Sequence, residues 1–261
     1  MSSLQRLKGV PLNKKERVKV IPSGGYLVPE IKVISNDNTP SSSSTPLIVS
    51  GSEAILQWVD QNFESAQFYQ PDPKLCFDLS VRASDGKLAG FVWYYNWVDT
   101  DGFGRSICPA VRGAMPAWLR PLVPNCFLEW TLAGERQKFR QQAEQTIGVS
   151  EDDDNDGTFQ NATRMREILI QELHFFQSHL RSDDQPYLVA GASQPTAADF
   201  SVYAQLERLV GGKGPYDVYL EPAAPWLREE ASLQSLWDWH QRMRSTCPVQ
   251  FKGKKPPKEL L

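Results

Sequence analysis

Tyr187-Leu188-Val189-Ala190-Gly191-Ala192-Ser193-Gln194-Pro195-Thr196-Ala197-Ala198-Asp199-Phe200 is the most legible segment of the chain. Its second half, Thr196-Ala197-Ala198-Asp199, has the spacing of a capping box, with aspartate where Glu or Gln is usual. The Thr196 hydroxyl can accept from the third amide of a helix. The Asp199 carboxylate can reach back to the amide of Thr196 and also favours the positive helix end. A helix is therefore predicted to start at Thr196 and to stop at Gly211-Gly212. Taken alone, the four residues fit an ordinary cap.

Helical periodicity continues on both sides. Residues 162–180 carry Met165, Ile168, Leu169, Leu173, Phe176 and Leu180 on one stripe. A last helix is predicted over about 232–244, before Cys247-Pro248. Upstream, helices are expected over about 53–64, with Ile55, Leu56, Val59 and Phe63 at helical spacing, over the aromatic-rich 86–98, and over 127–146. Residues 17–34 read instead as extended chain in two pieces, broken by Ser23-Gly24-Gly25. A serine-rich loop follows, and Pro46-Leu47-Ile48-Val49 reads as a third short strand. Strands first and helices afterwards predict a small α/β domain followed by an all-α domain. No internal repeat is found.

Composition narrows the function classes. The formal net charge is −3, which argues against a nucleic-acid binder with its basic face. The basic stretches Lys14-Lys15-Glu16-Arg17 and Lys252-Gly253-Lys254-Lys255 read as solvated ends, and 251–261 as a flexible basic tail. Cys76, Cys108, Cys126 and Cys247 form no Cys-x-x-Cys pair, so neither a zinc site nor a redox pair is expected. No apolar run is long enough to span a bilayer, and residues 1–6 lack an apolar signal core. The expected setting is cytoplasmic, with no membrane and no nucleic acid as partner.

The stretch from Pro186-Tyr187-Leu188 through Gly191 to Thr196-Ala197-Ala198-Asp199 resembles the cytosolic glutathione transferase superfamily, which carries a "pYL-G-…-T-AD" pattern before a buried core helix. Leu233-Gln234-Ser235-Leu236-Trp237-Asp238-Trp239-His240-Gln241-Arg242-Met243 is similar to that family's "P-L-x-x-W-x-x-R" closing helix, without its proline. The resemblance implies a partial thioredoxin-like, glutathione-binding domain over 1–68 and a glutathione-transferase-type helical bundle over 75–250. It gives Thr196 and Asp199 a folding role. It implies glutathione as substrate, an apolar small molecule as second partner, no metal, and a homodimer.

The same resemblance marks glutathione-binding residues. Val28-Pro29 matches the dipeptide that precedes the third strand in the family, where the proline is cis and the preceding backbone pairs with the cysteinyl part of glutathione. On the residues alone a trans proline opening a strand is the favoured reading, and it is the resemblance that turns Pro29 toward cis. Gly51-Ser52-Glu53-Ala54-Ile55 looks like the "E/Q-S-x-A-I" motif that binds the γ-glutamyl end. A serine at a helix N-terminus suits a carboxylate, and Ser52 also suits a plain N-cap. Gly51 lacks the side chain that would meet the substrate ammonium. Leu4-Gln5-Arg6-Leu7-Lys8-Gly9-Val10-Pro11 resembles the end of the family's first helix. On that alignment the first strand and the thiol-activating Tyr, Ser or Cys are not found. Ser2 and Ser3 are the nearest hydroxyls, at an end expected to fray.

Two functions stay open. One is binding of glutathione and its conjugation to a hydrophobic electrophile, with a lowered thiol pKa. The other is a non-catalytic interaction or regulatory protein on the same scaffold. In the run Phe91-Val92-Trp93-Tyr94-Tyr95-Asn96-Trp97, the resemblance makes Tyr94, Tyr95 and Trp97 a hydrophobic substrate wall, and core packing is an equal alternative. Asp152-Asp153-Asp154-Asn155-Asp156-Gly157 begins like a calcium loop, but the twelfth position is Thr163 instead of a bidentate glutamate. It reads as a solvated acidic loop. His174, His179 and His240 read as surface or core histidines.

Overall fold

Short capping side chains set where several of the helices begin. The computed structural model describes residues 16–21, 30–35, 47–50, 52–63, 67–148, 161–180, 185–210 and 222–246. Helix α2 (Pro73–Ser84) starts after Asp72, whose carboxylate accepts from the Leu75 amide at 2.9 Å, with Pro73 in the first turn where its missing N–H costs nothing. Helix α4 (Thr100–Ala114) starts after Asp99, which accepts from the Gly102 amide at 2.7 Å. Helix α7 (Ala162–Gln177) starts after Asn161, which accepts from the Thr163 and Arg164 amides. Ahead of them all comes α1 (Ser52–Asn62).

The strands are β1 (Glu16–Ile21), β2 (Glu30–Ser35) and β3 (Leu47–Ser50), antiparallel in the order β1-β2-β3. The register sets Val18 opposite Val33 and Leu47 opposite Val33 on the other side, with Val20, Ile31 and Val49 in the next row. Helix α1 buries Ile55 and Val59 in a small cluster that includes Val49, Trp58, Phe63 and Phe68. The Asp60 carboxylate accepts from the Phe68 amide, which holds the chain leaving α1.

The helical domain is the main body of the protein. Its remaining helices are α3 (Lys87–Trp93), α5 (Asn125–Thr131), α6 (Ala133–Ile147), α8 (Ala197–Val210) and α9 (Gln234–Thr246). Helix α8 runs through the centre, burying Ala197, Ala198, Val202, Leu206, Leu209 and Val210. Helix α7 buries Met165, Leu169, Leu173 and Phe176, the stripe read from the sequence. At about 1.5–3 kcal/mol for each fully buried large apolar side chain, this core is the dominant favourable contribution to folding. A second cluster of Phe103, Cys108, Val123 and Leu128 forms under α4 and α5.

Two expected helices are divided in the structure, and two further helices were not expected. The helix expected over 86–98 becomes α3 followed by a π-helical turn, Tyr94–Val98, closed by Arg136, which donates to the Trp97 and Val98 carbonyls at 2.8 and 2.9 Å. The helix expected over 127–146 is broken at Leu132 into α5 and α6. Helices α2 and α4 were not anticipated as separate elements. Helix α4 carries Pro109 and three glycines, one of which, Gly102, packs where no other residue would fit: a Cβ there would stand 1.9 Å from the Tyr95 carbonyl oxygen. Helix α6 ends at Gly148, whose φ of 78° is the left-handed C-terminal turn that glycine adopts at least cost.

Candidate functional site

The polar centre of the helical domain is Asp199. It is fully buried in the first turn of α8. Its Oδ2 accepts from the Thr196 amide at 2.9 Å and the Thr196 hydroxyl at 2.7 Å, while the Thr196 hydroxyl faces the Asp199 amide at 3.5 Å. Its Oδ1 accepts from the Leu188 amide at 2.9 Å and from Trp239 Nε1 of α9 at 3.0 Å. One carboxylate thereby joins the Tyr187–Leu188 turn, the cap of α8 and the closing helix. Burial pushes the Asp199 carboxyl above the usual carboxylate range, while the Leu188, Thr196 and Trp239 donors pull it back.

The start of α8 is further occupied by the chain arriving from α1. The Ala197 amide donates to the Phe68 carbonyl at 2.8 Å, and the Phe68 ring meets Phe200 edge-on at 5.9 Å. The amides of Thr196, Ala197 and Asp199 therefore all have protein partners. Sequence reasoning located Thr196 and Asp199. It did not find Leu188 and Trp239 as their partners, although both lie in quoted motifs.

Val28, Pro29 and Gly51 lie outside the described residues, as do the acidic loop at 151–157 and the tail at 251–261. Ser52 is the first residue of α1. Among the described residues the cis peptide bond is Gln70–Pro71.

The aromatic residues proposed for a substrate wall are divided between two clusters. Tyr94 and Tyr95 are buried in the main core with their rings edge-on at 5.0 Å, and Tyr95 also meets Trp226 at 5.9 Å. Trp97 stacks on Phe139 at 4.4 Å and packs on the second cluster beside Phe103. Burial pushes the Tyr94 hydroxyl up to about 12. Burial, with Tyr94 beside it, pushes Tyr95 further up, and the Tyr95 hydroxyl has no hydrogen-bond partner among the described residues. The Cys76 thiol is raised to about 11 by burial. These groups hold their protons at neutral pH, the opposite of what an activated nucleophile needs.

Two ionic groups were not legible in the sequence. Arg82 of α2 holds Glu172 of α7 with two bonds of 2.7 Å, and its guanidinium lies 3.6 Å from the Phe175 ring centroid. His240 Nε2 stands 2.9 Å from Glu207 Oε1, with Arg244 at 3.6 Å from the other oxygen. Burial works to raise the Glu207 carboxyl, but His240, Arg244 and the Tyr203 hydroxyl outweigh it and hold it below the usual range. In each case the partners come from helices distant in sequence. Among the described residues no group of three or more His, Cys, Asp or Glu is placed to hold a metal. None of their helices is long and apolar enough to cross a membrane.

The chain matches no family model, no curated protein and no solved structure in the comparisons made.

Proposed function

We propose that the chain is a glutathione-transferase-like protein that binds glutathione through the Val28-Pro29 and Gly51-Ser52 segments and conjugates it to a hydrophobic electrophile. The observation that carries the reading is the Asp199 hub. The two segments that resemble the family, 187–200 and 233–243, are far apart in sequence and meet at one carboxylate through Leu188, Thr196 and Trp239. That supports one scaffold behind both motifs. Glutathione, the electrophile and a homodimer follow from the resemblance.

A specific observation favours the second reading, a non-catalytic interaction protein on that scaffold. Tyr94 and Tyr95 are spent on the core, and the Cys76, Tyr94 and Tyr95 protons are all held more tightly than usual. Calorimetric titration with millimolar glutathione, beside a conjugation assay with a chloronitrobenzene on the same preparation, separates the two. Heat with turnover supports the transferase. Heat without turnover supports a non-catalytic binder. No heat removes glutathione from both.

A further inference from the structure

We draw no further inference here: the strongest candidate, the exposed apolar patch of Trp118, Leu122, Phe127 and Trp130 on the α4–α5 hairpin, carries nothing because nothing in the structure shows what covers it.

Discussion

Replacing Asp199 by alanine removes the acceptor for four donors at once. The Leu188 amide, the Thr196 amide and Trp239 Nε1 are fixed in place, whereas the Thr196 hydroxyl can rotate to another acceptor. A buried donor left without a partner costs about 1–3 kcal/mol. Three such donors, less the desolvation cost that the buried carboxylate no longer carries, give a loss of about 3–5 kcal/mol. That is a large part of the roughly 5–15 kcal/mol that holds a domain folded. Asp199→Asn keeps Oδ1 for Leu188 and Trp239 but turns an NH2 toward the Thr196 amide, which strands one donor and costs about 1–3 kcal/mol. Urea unfolding followed by far-UV circular dichroism measures both, with an unchanged slope showing that the two states are the same. Trp239→Phe combined with Asp199→Ala should lose less than the sum of the single losses, by about 1 kcal/mol. A loss below about 1 kcal/mol for Asp199→Ala, or a loss for Asn as large as for Ala, would refute the hub as a determinant of the helical domain.

Other substitutions probe separate contacts. Gly102→Ala drives a Cβ against the Tyr95 carbonyl at 1.9 Å, with the Ala223 carbonyl at 3.1 Å. Neither oxygen is the end of a flexible side chain, so a loss of about 3 kcal/mol or more in urea unfolding is expected. Arg82→Ala leaves Glu172, only 4% exposed, without its counter-charge. Because water reaches the partly exposed Arg82 position, about 2–3 kcal/mol is expected, and Arg82→Lys should recover only part of it for want of the two-pronged contact. Glu207 has a folded-state pKa below its unfolded value, so its contribution is present above the unfolded value and lost as pH falls through the folded one. Glu207→Gln should therefore lower the thermal midpoint at neutral pH, with the difference from wild type shrinking as pH falls below the ordinary glutamate range.

How far the sequence could be read depended on the distance over which each signal acts. The stripe of α7 was legible because Met165, Leu169, Leu173 and Phe176 repeat within one helix. The cap of α8 was legible because Thr196 and Asp199 are three residues apart. Helix α4 carries Phe103, Ile107 and Val111 at helical spacing around Pro109 and three glycines, whereas the fit of Gly102 beneath the Tyr95 carbonyl is a contact that no local pattern records. The break at Leu132 was hidden because the 127–146 window keeps acceptable helical composition across it. Of the candidate site, the sequence pointed to Tyr94, Tyr95 and Trp97 as a unit. The π turn and the Arg136 bonds to Trp97 and Val98 accompany a different arrangement, with Trp97 packed on the second cluster.

By itself the amino-acid sequence determined that strands precede helices, that a buried helix begins at Thr196, and that Asp199 sits at its start. These follow from spacing and local hydrogen-bonding chemistry, which act over a few residues. Only the tertiary structure decided that the same aspartate also receives Leu188 and Trp239, that Arg82 meets Glu172, and that His240 meets Glu207. It also decided which aromatic residues enter the core and which four stand in water on the α4–α5 hairpin. The physical reason is that burial and long-range polar pairing depend on which helix faces pack together, and one strand of sequence does not encode that in any local pattern.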